Sequence, residues 1–360
     1  MTGLAYPGRR TICAWVVALL LPVAACATTT LERVVVAPDS RSFMTTPSAQ
    51  AFVPWGFNYD HDSSMSLIEE YWESEWGRVE EDFAEMKSLG ANVVRVHLQL
   101  GRFMDGPAQT SATQLLQLRR LLGLCECLGL RLDITGLACY RAGDTPAWYA
   151  ALDAPERWRV QAAFWEGVAG ACAGSPAVFC YDLINEPLVP STKQEPGSWL
   201  AGRLGEFHYM QKLTLDPQGR PVRDTAREWT RLMTTAIRRK DAHALITVGL
   251  IPKPMGYRPG DIVDLVDFLS VHIYPDSKKP DDAMKHLRGH ALGKPVVVEE
   301  MFILRCGIDG LARFIEQSRG TACGWIGFYW GRMPNELKPP ATIGDALLLS
   351  WLEYFQSHRP

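Results

Sequence analysis

From about residue 52 to residue 355, short apolar runs of strand type alternate with stretches of helical periodicity, and no low-complexity break interrupts them. That alternation is the signature of strands covered by helices, and it leaves a parallel sheet as the organising element. The runs read as Phe52–Tyr59, Asn92–Leu98, Leu130–Thr135, Ala177–Ile184, Leu245–Gly249, Phe268–Pro275, Val296–Glu299 and Gly324–Trp330. Helical stripes lie between most of them. Phe83, Met86 and Leu89 form one before Gly90, and Leu115, Leu118, Leu122 and Cys125 form another. Further helices are expected over 156–173, 225–239, 282–292, 311–318 and 344–355. Eight strand and helix pairs predict a closed (β/α)8 TIM barrel, an α/β fold, as one domain over 51–360.

The fourth strand carries the chemistry. It delivers Asn185 and Glu186 side by side, and Pro187, which lacks an N–H, ends the ladder. In such barrels the carboxyl ends of the strands build the active site. The seventh strand also ends in acids, Glu299 and Glu300. Two strand-end carboxylates facing one cleft can cleave a glycosidic bond: one protonates the leaving oxygen and the other attacks the anomeric carbon across about 5 Å. Arg95 lies inside an apolar strand, where a buried guanidinium demands a carboxylate partner. A long insertion follows the fourth strand, from Val189 to about Asp224, and loops of that length after a barrel strand usually shape the substrate cleft.

Composition narrows the class. A hydrophobic fraction of 47% and a charged fraction of 21% are those of an ordinary globular protein, and a net charge of −3 gives nucleic acid no basic surface to bind. The leading residues carry Arg9 and Arg10 before a short apolar run, Ile12 to Leu21, which fits a signal peptide over 1–26. Val23-Ala24-Ala25-Cys26 resembles a lipoprotein processing box, so export is expected, with the chain either released or held at the cell envelope through a lipidated Cys26. Residues 27–50, rich in Thr, Ser and Pro, read as a flexible tether. Beyond Cys13 and Cys26, seven cysteines are scattered without a C-x-x-C pair, and neither a metal site nor a cofactor is expected.

The order Arg95, Asn185-Glu186-Pro187, His272-x-Tyr274, Glu300 and Trp330 resembles the clan A glycoside hydrolases, most closely family 5, the cellulase and mannanase family. The resemblance implies Glu186 as acid/base and Glu300 as nucleophile, with Glu299 the runner-up. It also implies Asn185 on the sugar 2-hydroxyl, Arg95 and Tyr274 on the nucleophile, His272 beside the acid, and Trp330 as the stacking floor. Strand-end position adds Asn58 and His97 as binding candidates and, less strongly, Trp55, Tyr59, Tyr140, Trp148, Trp199 and Tyr209. Trp325 and Trp351 read as core. The third strand ends in Cys139-Tyr140 without the histidine common in the family, and Met301-Phe302 follows the nucleophile where an aromatic-Gly pair is commoner. The expected activity is retaining hydrolysis of β-linked mannan or glucan chains or their oligosaccharides by a monomer. The alternatives are an exo-acting β-glycosidase on short oligosaccharides and a non-catalytic glycan-binding surface lipoprotein.

Overall fold

In the computed structural model, which describes residues 31–359, eight parallel strands close into a barrel. They are β1 (Trp55–Tyr59), β2 (Val93–Gln99), β3 (Arg131–Ala138), β4 (Val178–Asn185), β5 (Leu245–Leu250), β6 (Leu269–His272), β7 (Val296–Glu300) and β8 (Gly324–Phe328). β8 pairs with β1 through Trp325–Trp55 to Phe328–Asn58, which closes the ring. The expected signal segment 1–26 and Cys26 lie outside the described residues.

Side chains alternate along each strand, so one set meets the helices and the other fills the barrel. Val94, Val96 and Leu98 of β2, and Val296 and Val298 of β7, join the large outer core beneath helices such as Trp76–Leu89, Ala112–Leu128, Ala154–Cys172 and Val222–Arg238. Between β5 and β6 only the four-residue helix Pro259–Ile262 intervenes, so one of the eight expected pairs is abbreviated.

Much of the expected tether is folded. Arg33–Val36, Phe43–Thr46 and Ala51–Phe52 form a three-stranded antiparallel sheet under the barrel, so Phe52 belongs to this sheet and not to β1. Val34, Phe43 and Phe52 pack with Phe179, Phe268 and Val297, and the Phe43 ring lies 5.3 Å from Phe179 and 5.2 Å from Phe268. Two fully buried aromatic contacts outweigh the polar composition that suggested a linker.

The insertion after β4 is also ordered. Pro187–Leu188, Leu200–Leu204 and Phe207–Lys212 form a second small sheet, and the next helix begins at Val222, two residues inside the expected insertion.

Candidate active site

The upper layer of the barrel interior is charged. Arg95 is completely buried and holds four side chains at once. Its Nη1 donates to Glu300 Oε1 at 2.7 Å and to Asn58 Oδ1 at 2.9 Å, while Nη2 donates to Asp182 Oδ2 at 2.7 Å and Asn185 Oδ1 at 2.9 Å. Asn58 in turn donates to the Glu299 and Gly327 carbonyls, which tethers β1 to β7 and β8. Asn58 is thus a fully buried brace for Arg95 with no face on the cleft, where strand-end position had suggested a binding role.

Glu299 and Glu300 are adjacent but part ways. Glu299 follows the strand alternation into the barrel, where Ser270 Oγ donates to it at 3.0 Å. Burial works against its charge, but Arg95 and His272 prevail and hold its pKa down to about 2. The β6–β7 register shifts between Val271 and His272, so that His272 pairs with Glu300. Such an irregularity re-aims the next side chain. Glu300 therefore stands at the cleft, where the Tyr274 hydroxyl donates to Oε2 at 2.7 Å.

His272 stands between the acids. Its Nδ1 donates to Glu186 Oε1 at 2.9 Å and lies 3.5 Å from Glu300 Oε2, while Nε2 lies 3.5 Å from Glu299 Oε2. Burial alone would discharge the ring, but Glu300, Glu186 and Glu299 around it lift its pKa to about 10. One oxygen of Glu186, one of Glu300 and a His272 nitrogen all lie within 4.8 Å of one another. Those three side chains have the spacing of metal ligands, yet the imidazolium already supplies a positive charge there.

Two backbone features let the groups come this close. Glu186 adopts φ 49°, a left-handed conformation rare for a branched-free acid outside turns, with its N–H bonded to the Gly249 carbonyl at 2.9 Å. At Gly249 a Cβ would lie 2.7 Å from His272 Nε2, 2.9 Å from Glu299 Oε2 and 3.0 Å from Arg95 Nη2. Only a glycine leaves room for that ion cluster.

The expected binding residues divide. Asn185 spends its oxygen on Arg95 and donates one N–H to the Tyr209 carbonyl at 2.8 Å, which leaves a second hydrogen for a ligand. Trp330 is half-buried, stacked at 5.6 Å and 2° on His61 and at 5.3 Å and 30° on Phe328, with its indole N–H on Asp60 Oδ1 at 3.1 Å. His97 pairs through Nδ1 with the Tyr140 hydroxyl. Tyr140 and Tyr209, 4.8 Å apart, also belong to this wall.

Four aromatic candidates lie elsewhere. Trp55 stacks on Phe355 at 4.5 Å, and Tyr59 is bonded to Tyr71 and Asp82, so both face the helices. Trp148 and Trp199 pack around Tyr149. Trp325 and Trp351 are buried, as expected of core residues.

Sequence reading missed Asp60, His61, Asp182, Gly249 and Arg141. Asp60 ends the first strand run as Glu186 ends the fourth, so the same strand-end rule applied to β1 would have found it. Arg141 could not be found that way, because its role is long-range. It follows β3 and ties the insertion to the loop after β1, donating to Glu206 Oε1 at 2.9 Å, Glu70 Oε1 at 2.5 Å and the Met65 carbonyl at 2.6 Å. Its guanidinium also covers the Phe207 ring at 5.0 Å, and Phe207 lies 5.8 Å from both His61 and Tyr140. The hairpin thus lies along the rim of the barrel from β4 past the end of β3 to the β1 loop.

Comparison with known proteins gives the following. Residues 57–301 match the Cellulase (glycosyl hydrolase family 5) family. Among solved structures, an exo-β-1,4-mannosidase of Opitutaceae bacterium strain TAV5 superposes with a TM-score of 0.67 at 20% identity, over 90% of this chain. The chain spans only 61% of that relative's length. A β-1,4-mannanase of the sea hare Aplysia kurodai gives 0.61 at 16% identity, over 82% of this chain and 92% of that one. The catalytic domain of a Thermobifida fusca endoglucanase gives 0.59 at 14%, over 91% and 98%. At these identities the likeness is one of fold. No curated protein sequence matches the chain.

Proposed function

Because the chain belongs to glycosyl hydrolase family 5 and is a glycoside hydrolase of (β/α)8 fold, we propose that it hydrolyses β-linked mannan or glucan chains, or their oligosaccharides, with retention of configuration. The observation that carries this reading is that one oxygen of Glu186 and one of Glu300 lie within 4.8 Å of each other, an approach that suits the close carboxyl pair of a retaining hydrolase.

Glu300, held by Arg95 and Tyr274, attacks the anomeric carbon and forms a glycosyl ester as the bond to the leaving oxygen breaks. Glu186 gives its proton to that oxygen. It then takes a proton from water, which attacks the ester carbon and releases Glu300. His272, which touches both carboxylates, holds them in register through the two steps. No step calls for a metal or a nucleotide. A glycan-binding protein without turnover would have no use for two carboxylates arranged in this way.

The hairpin clasped by Arg141 favours action at chain ends, since it walls one side of the cleft from β4 to the β1 loop. We further propose that the protein is exported, with Cys26 as the lipid attachment point, and acts as a monomer.

Proton NMR of the first anomer released from an aryl β-glycoside tests the chemistry. The β-anomer is expected to appear first. An α-anomer first, or no turnover of any β-mannoside or β-glucoside, overturns the reading.

A further inference from the structure

Beside the catalytic pair lies a second set of buried polar groups that the hydrolysis itself does not use. Asp60 is 7% exposed, yet among the described residues no arginine or lysine pairs with it. The Trp330 indole N–H donates to it at 3.1 Å, and the His61 ring nitrogen stands off at 3.8 Å. Glu300 is close enough to repel it. A buried carboxylate whose nearest cationic group is a histidine at 3.8 Å is costly unless hydrogen-bond donors surround it.

His97 shows the complementary deficiency. It follows Arg95 on the inward face of β2, is 3% exposed, and spends Nδ1 on Tyr140, leaving Nε2 buried with no partner. Burial first and Arg95 second hold the ring neutral. With the Tyr140 hydroxyl donating to Nδ1, the free nitrogen is an N–H donor. Tyr140, which is bonded to His97, lies 5.8 Å from Phe207, and Phe207 lies 5.8 Å from His61 beside Asp60, so the carboxylate and the unpartnered donor belong to one wall.

We propose that Asp60 and His97 together recognise hydroxyl groups of the glycosyl unit seated beside Glu300, Asp60 accepting from one or two adjacent hydroxyls and His97 donating to a neighbouring oxygen. This deepens the hydrolase reading and rests on it. A sugar hydroxyl both donates and accepts, so one terminal hexopyranose satisfies both groups. A uronic acid brings a second carboxylate against Asp60 and Glu300, so the pocket selects neutral sugars. Because Asp60 and the clasped hairpin lie on the same side, a unit that fills this pocket is the end of its chain.

The test compares wild type with Asp60→Ala and Asp60→Asn on an aryl β-mannoside or β-glucoside, its 3-, 4- and 6-deoxy analogues and the matching aryl β-glucuronide. For wild type, removing a contacted hydroxyl is expected to lower kcat/KM by about 10- to 100-fold, the loss typical of a hydrogen bond to a charged group. Asp60→Ala is expected to lose a similar factor on the parent and then to be indifferent to that hydroxyl, while the glucuronide is refused by wild type. Equal deoxy penalties in wild type and both variants at every position would overturn the assignment, as would efficient glucuronide hydrolysis by wild type. If wild type turns over no β-glycoside, the hydrolase reading has failed by itself. Calorimetric binding of the same sugars to Glu186→Gln and Glu186→Gln/Asp60→Ala proteins then still reads the contact, and an unchanged deoxy penalty in that pair would overturn it.

Discussion

Arg95 Nη1 meets Glu300 Oε1 at 2.7 Å, while Nη2 of the same guanidinium meets Asp182 at 2.7 Å from inside the barrel. One buried cation therefore joins the proposed nucleophile to the scaffold beneath it. Arg95→Met leaves Asp182 without its counter-charge and Glu299 and Glu300 with His272 alone. Breaking a buried pair in this way is expected to cost about 3–5 kcal/mol of stability. The same change removes a fixed positive charge beside the nucleophile and is expected to lower kcat by about 10²-fold or more. Denaturant unfolding and steady-state kinetics on one preparation check both.

Gly249 gives a steric prediction. Gly249→Ala places a methyl group 2.7 Å from His272 Nε2 and 2.9 Å from Glu299 Oε2, so the ion cluster must spread. Overpacking of this kind is expected to cost about 1–3 kcal/mol. Displacing His272 by even part of an ångström disturbs Glu186 and Glu300, the proposed catalytic pair, and kcat is expected to fall by roughly 10²-fold. A thermal melt with a kinetic assay measures the two effects; an unchanged kcat would show that the approach at Gly249 does not matter.

His272 predicts a pH dependence. Its pKa rises from the ordinary 6.5 to about 10 because Glu300, Glu186 and Glu299 overcome burial. The stability this contributes is fully present below 6.5 and is lost as pH climbs through about 10. Glu299 works in the opposite direction: with its pKa held at about 2, its contribution is present above 4.5 and lost as pH falls through about 2. Wild type is therefore expected to lose unfolding free energy between pH 7 and 10.5 more steeply than His272→Gln. Parallel slopes for the two proteins in denaturant titrations across that range would contradict the assignment.

The Arg141 clasp predicts a change of product pattern. Its bonds to Glu206, Glu70 and Met65 are partly exposed, and such contacts are worth about 0.2–1 kcal/mol each. Arg141→Ala is expected to leave the catalytic pair in place but to let the hairpin open several-fold more often. On a defined hexasaccharide, wild type is expected to release a short end product first, and the variant to give a measurable share of internal cleavage. Chromatography of early time points distinguishes the two.

How much of this was legible in the sequence depended on range. The eight strands could be read because each is a local apolar run, and Asn185-Glu186-Pro187 because Pro187 marks a strand end. Arg95 within Val-Val-Arg-Val announced its need for acids, although not that Asp182 would be one of them. Which of Glu299 and Glu300 reaches the cleft turns on the register shift at His272, which alternation cannot forecast. The sheet beneath the barrel was hidden because Phe43 finds Phe179 and Phe268 only after the barrel closes. Arg141 and Gly249 matter through partners that are distant in the chain, and nothing near them in sequence signals it.

The identity of the attacking carboxylate is tested most directly by trapping it. An activated 2-deoxy-2-fluoro β-mannoside or β-glucoside slows both steps, deglycosylation enough for the covalent intermediate to accumulate, and peptide mass spectrometry locates the sugar. The expected result is a single glycosyl adduct on Glu300, absent from Glu300→Gln. An adduct on Glu299, or inactivation without any adduct on the Val296–Phe302 peptide, would contradict the pairing of Glu186 with Glu300.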